Sequence, residues 1–196
     1  MPPPFPKTPT GISLSKCACP KVVIEAFLDF ECPFSVKMYN KLTSEVVPHY
    51  QSAHSGEVDF VIHQVPQPWH PQSCLMHMAL WAVREVGPPE AVVPMMNALC
   101  ELQPSFSDEY CMDKTRRELF QQLAGLAGAA GSSQEGVLNM LLEGKSAQGI
   151  KFLCKYHRTR GVHVTPTVML NGLVANHIES SFSVDQWKEA VDGFLA

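Results

Sequence analysis

The chain has 196 residues, with 15 Lys and Arg against 19 Asp and Glu and a net charge of −4. A chain of that length suits one domain and buries roughly 70% of its unfolded surface, so it needs no metal or disulfide staple to fold. Charged residues make up 17% of it and no basic block occurs, which excludes the electrostatic signature of nucleic-acid or anionic-membrane binding. No run reaches the ~18 consecutive apolar residues of a membrane span.

Residues 1–20 hold Pro2, Pro3, Pro4, Pro6 and Pro9 and read as a Pro-rich, poorly ordered arm. The arm has no continuous apolar stretch of the secretory type. The seven cysteines (17, 19, 32, 74, 100, 111 and 154) are odd in number and lack framework spacing. Together these features point to a reducing, cytoplasmic setting with free thiols. The main domain is expected over residues 21–196. Residues 21–28 are apolar and β-branched, as a buried parallel strand should be, and 58–65 (VDFVIHQV) is similar. Between them, 33–47 carries apolar residues near a 3.6 period. Helical patterns follow at 72–86, 90–102, 108–127, 134–142 and 146–157, then a strand at 167–170. Asn171-Gly172 is a strong hairpin signal and predicts a returning strand over 173–178. A last helix spans 185–195, with Ser183 as its N-cap. The order β-α-β, several helices, β-hairpin, helix predicts an α/β fold: a mixed four-stranded sheet with a helical insertion over about 72–160, between the second strand and the hairpin.

Cys32-Pro33-Phe34-Ser35 lies where the first strand meets the first helix. The first N–H groups of a helix lack internal partners, and the helix dipole there favours negative charge, so the nucleophilic thiolate is favoured. Ser35, three residues on, lies on the same helical face and is expected to donate a hydrogen bond to the sulfur. Asp29 and Glu31 oppose the thiolate if they point inward. Serine cannot resolve a mixed disulfide, so an outside thiol must do so. Cys17 or Cys19 reaches Cys32 only if the arm folds back along the strand. Cys74, Cys100, Cys111 and Cys154 fall in helical apolar patterns and read as buried small hydrophobes.

Gln67-Pro68-Trp69-His70-Pro71 follows the second parallel strand and should emerge on the carboxyl edge that carries Cys32. There Trp69 could wall a substrate groove and a cationic His70 could stabilise the thiolate. The alternative is a Pro-rigidified loop whose Trp packs on the insertion. His63, His70, Cys74 and His77 are zinc-type ligands in a spacing that matches no established zinc pattern, and no metal is expected. Lys151, Lys155, Arg158 and Arg160 precede the 167–170 strand. They could pair with the two carboxylates of glutathione, or simply complement a helix C-terminus.

Two segments resemble the thioredoxin-fold superfamily, in its DsbA-like branch. Residues 27–34 (FLDFECPF) are similar to the pattern F-x-D-F-x-C-P-F/Y, and residues 161–172 (GVHVTPTVMLNG) to G-V-x-x-T-P-T-x-x-x-N-G. The resemblance implies a thioredoxin-like fold. It also implies a cis Thr165-Pro166 bond beside Cys32 and a free Thr165 backbone that pairs with an extended peptide or with glutathione. The chain departs from the branch at two places: Ser35 replaces the second cysteine of C-x-x-C, and Ala26 stands where many relatives carry an acid six residues before the first. The function implied is a monothiol thiol–disulfide oxidoreductase with Cys32 as nucleophile, Ser35 polarising it, and Pro33, Phe34, Thr165, Pro166, Trp69 and His70 contacting substrate. No bound cofactor is implied; glutathione is the possible co-substrate and a thiol-bearing protein the possible partner. The alternatives are a redox-inactive module that grips a peptide at the same groove, or a glutathione-dependent isomerase or transferase related to the kappa class.

Overall fold

The computed structural model describes residues 5–195. Its sheet has five strands in the order β1-β3-β2-β4-β5: β1 Ile12–Ser13, β2 Val22–Leu28, β3 Val58–Gln64, β4 Thr167–Leu170 and β5 Leu173–Val174. Strands β2 and β3 run parallel in the register Val22↔Val58 to Leu28↔Gln64, and the other three pairings are antiparallel. The central position of β2 explains its sequence. Val22, Ile24, Ala26 and Leu28 face the main core, while Phe27 joins Val65, Val162 and Met169 in a small apolar cluster on the other face.

The fifth strand comes from the segment read as a poorly ordered arm. Its Ile12 pairs with Ile62, Leu14 N–H donates to Phe60 O at 2.8 Å, and Arg84 donates to Thr10 O at 3.0 Å. A β-carbon on Gly11 would collide with the Val61 side chain, so the close approach of β1 to β3 requires glycine there. Only two residues pair, too few to leave an alternating pattern in the sequence. At the other edge, the returning strand stops at Val174 instead of 178. After Ala175 N–H donates to Val168 O, the chain turns, with Ile178 N–H bonded back to Ala175 O. Asn171 and Gly172 both adopt positive φ, as their hairpin needs, and Asn171 Oδ1 also accepts from Val23 N–H at 2.8 Å.

Helix α1 (Pro33–Lys41) continues through a wide π turn (Leu42–Val46) into α2 (Val47–Ala53), beyond the expected end at 47. Pro48 lacks an N–H, and the π turn, in which Val47 N–H reaches Leu42 O, absorbs that defect without ending the helix. The insertion runs through α3 (Ser73–Val86), α4 (Val92–Glu101), α5 (Asp108–Cys111), α6 (Arg116–Ala129), α7 (Gln134–Leu142) and α8 (Lys145–Thr159). The single helix expected over 108–127 is broken between α5 and α6, because Thr115 and Glu118 form a capping box that starts a new helix. Helix α9 (Val184–Val191) begins at Ser183, which caps it with Gln186.

The C-terminal end of α8 is pinned to the sheet by charge. Arg160 donates two bonds of 2.7 Å to the carboxylate of Glu25 on β2, and His63 Nε2 lies 2.8 Å from the same group. The guanidinium also stands over the Phe27 ring, 5.1 Å from its centroid. Burial pushes the Glu25 pKa up, but Arg160 and His63 outweigh it and hold the carboxyl at about 2. Arg160 is therefore spent inside the fold and is not free to meet a glutathione carboxylate. This clamp fixes the chain immediately before the Thr165-Pro166 turn. Arg160→Ala should cost about 3 kcal/mol in urea unfolding, because it strands a buried carboxylate, and adding Glu25→Gln should recover part of that loss.

Candidate active site

Cys32 is the N-cap of α1, with Pro33 opening the helix behind it. Its N–H donates to Asp29 O and its carbonyl accepts from Val36 N–H, both at 3.0 Å, so the backbone around the sulfur is fully bonded. The Thr165-Pro166 peptide bond is cis, and Cys32 Sγ lies 3.8 Å from Thr165 O. The structure thus brings Cys32, Thr165 and Pro166 together across 133 residues of sequence. Cys32 as a residue is 4% exposed, and Thr165 Oγ1 is buried with no hydrogen-bond partner. Three large apolar side chains in the segments that carry or follow the site are exposed: Phe34 at 63%, Trp69 at 59% and Val164 at 59%.

Ser35 is buried on the first turn of α1, and its Oγ accepts from Asp29 N–H at 3.2 Å, which ties it to the loop before Cys32. His70 Nδ1 sits 2.7 Å from Asp29 Oδ2. Trp69 is 59% exposed and lines a cleft with Cys154 and Arg158 of α8.

The organising group is Asp29, which the sequence suggested only as a possible opponent of the thiolate. Its carboxylate is fully buried and accepts from Glu31 N–H at 3.0 Å, Gln67 N–H at 2.9 Å and the Ser73 hydroxyl, besides meeting His70; His77 Nε2 lies 3.4 Å away. One side chain therefore ties together the turn before Cys32, the loop after β3 and the start of α3. Burial raises the Asp29 pKa, but His77, Ser73 and His70 more than reverse this and hold it at about 2. Glu31 goes the other way: burial and the neighbouring Asp29 charge push it up to about 7, against the partial help of the Gln72 and Ser73 amides. Gln103 Nε2 holds the Glu31 carbonyl at 2.9 Å, linking the insertion to the residue before the cysteine.

The histidines do not converge. His63 serves Glu25, whereas His70 and His77 serve Asp29, and among the described residues no group of three or more His, Cys, Asp or Glu could hold a metal. Nor is a resolving thiol in reach on the arm. Cys17 Sγ donates to Gly56 O, at the start of β3, a strand length of about 20 Å from the edge where Cys32 sits. Cys100 and Cys111 are buried, as small hydrophobes should be, but Cys74 is exposed and Cys154 half-buried.

Two outcomes follow from the opposite shifts of Asp29 and Glu31. A folded-state pKa lowered to about 2 means that Asp29 adds stability above its ordinary 3.8, which is lost as pH falls through 2. Asp29→Asn should therefore cost about 2 kcal/mol at pH 7 in urea unfolding and flatten the loss of stability between pH 4 and 2. A pKa raised to about 7 means that Glu31 favours folding below its ordinary 4.5 and ceases to do so as pH rises through 7. Glu31→Gln should accordingly leave stability at pH 4 unchanged and raise it at pH 8 by about 1 kcal/mol once solvent screening is allowed for.

A family model described as thioredoxin matches residues 8–193. Among solved structures, a candidate protein-disulfide isomerase from Pseudomonas syringae is 27% identical, with a TM-score of 0.71, covering 91% of this chain and 96% of its own. Oxidised BdbD from Bacillus subtilis has the same TM-score at 22% identity, over 95% of this chain and 93% of its own. MdbA, a thiol-disulfide oxidoreductase from Corynebacterium diphtheriae, matches at 17% identity and a TM-score of 0.63, over 90% and 85%. No curated protein matches. The sheet order, the helical insertion and the cysteine opposite a cis-proline agree with that assignment: the chain belongs to the thioredoxin family.

Proposed function

We propose that this protein is a monothiol oxidoreductase in which Cys32 exchanges glutathione with protein thiols in a reducing compartment. The observation that carries the reading is the placement of Cys32 Sγ at the head of α1, 3.8 Å from the Thr165 carbonyl, with Ser35 in place of a second cysteine. The Cys32 thiolate attacks the glutathione sulfur of a glutathionylated protein. The existing S–S bond breaks, the protein thiolate leaves and takes up a proton, and Cys32 becomes disulfide-linked to glutathione. A second glutathione thiolate then attacks that glutathione sulfur, forming oxidised glutathione and returning Cys32 as thiolate. The protein's sulfur is reduced and the incoming glutathione is oxidised, the first glutathione being already at the disulfide level, so no second cysteine is required. Phe34, Trp69 and Val164 offer apolar contacts to the segment that carries the reacting sulfur, and the Thr165 backbone offers it a hydrogen-bonding edge. Seven free cysteines support the reducing compartment.

A second reading, a peptide-binding module without turnover, is favoured by the 4% exposure of Cys32. Intact-mass analysis after treatment with oxidised glutathione separates the two. The oxidoreductase reading expects one adduct on the native chain that is lost in Cys32→Ser; equal adducts on both would sink it. Release of that adduct by reduced glutathione should yield one oxidised glutathione per protein.

A further inference from the structure

The loop after β3 and the end of α8 enclose a cleft of about 190 Å³ beside the reactive edge. Its lining includes Gln67 and Trp69 from the loop, Cys154 and Arg158 from α8, and Val162 and His163 from the segment leading to the cis-proline. The cleft is built on fixed supports. Gln67 N–H is bound to Asp29, and Val162 N–H donates to His157 O at 3.1 Å. His163 precedes Thr165 by two residues, so along the chain it lies within ~7 Å of the carbonyl that faces Cys32.

Its charge is specific. Of the two arginines at the end of α8, Arg160 is fully engaged by Glu25, whereas Arg158 has no carboxylate partner among the described residues and lines the cleft. No Asp or Glu lines it. A guanidinium beside an exposed indole suits a group that is negatively charged at its end and apolar along its stem.

We propose that this cleft is a specificity subsite for the carboxylate-bearing end of a small thiol peptide of the glutathione class, held while its sulfur is joined to Cys32. The volume admits a residue-sized group rather than a folded segment. His163 lies within ~7 Å of the Thr165 carbonyl, which is itself 3.8 Å from Cys32 Sγ, so an extended tripeptide of ~10 Å has the reach to join the sulfur to that end of the cleft. Arg158 takes the terminal carboxylate, Trp69 covers the stem, and His163 flanks the path to Thr165. This inference rests on the Cys32 reading, but it can fail separately.

The test has two arms. In the first, wild-type protein is alkylated with iodoacetamide in the presence of S-methylglutathione, which has no free thiol and cannot react at Cys32. Occupancy of the cleft should slow modification of Cys154 by about threefold or more at saturation and leave exposed Cys74 unaffected. Protection here, combined with no adduct at Cys32 after treatment with oxidised glutathione, would keep the cleft and remove the redox reading; no protection would overturn the cleft whatever Cys32 does. In the second, mixed-disulfide formation is timed with oxidised glutathione and with uncharged hydroxyethyl disulfide. Arg158→Ala should lower the ratio of the two rate constants about tenfold, and Arg158→Lys should restore most of it. An unchanged ratio would also refute the assignment.

Discussion

A single carboxylate, that of Asp29, holds the reactive edge in shape. A buried charge persists only when hydrogen bonds replace its lost hydration, and Asp29 obtains them from three separate stretches of chain. The donors are Glu31 and Gln67 backbone amides, the Ser73 hydroxyl and the ring of His70. The main chain of Asp29 completes the arrangement, its N–H held by Ser35 and its carbonyl by Cys32. Ser35 and His70, which pattern alone connected to the sulfur, both bond to Asp29, Ser35 at its main-chain N–H and His70 at its carboxylate.

The strand beneath the site shows how one residue of register changes chemistry. Side chains alternate across a strand, so neighbouring positions face opposite layers. Ala26 points into the main core, and the acid of β2 is Glu25, one residue earlier and on the other face. There it meets Arg160 and His63 and stays ionised. A buried acid is present on this strand, but it is a structural anchor for α8 rather than a proton acceptor near the sulfur.

Most of the architecture was legible because it rests on local rules. Buried parallel strands read as apolar runs, Asn171-Gly172 announced its hairpin, and Ser183 its helix. What escaped notice depends on long-range or subtler signals. Strand β1 has two residues and is held by β3 and Arg84, partners that sequence alone cannot supply. The break before α6 is carried by Thr115 and Glu118, a capping box embedded in a continuous apolar pattern. At the site, Cys32, Thr165 and Pro166 were found from their motifs. The meeting of Asp29 with His70, Ser73 and His77 was not, because it requires the loop after β3 to fold over the end of β2.

The short outer strands carry one further consequence. A long, unpaired strand at the margin of a sheet invites other chains to add to it. Here β3 would be such a margin if β1 did not cover part of it, and β4 is partly covered by β5; both outermost strands are only two residues long. Neither side presents the continuous ladder that edge-to-edge aggregation needs. A protein whose apolar residues gather at its reactive rim can therefore expose them to passing polypeptides without also offering its backbone as a template for stacking.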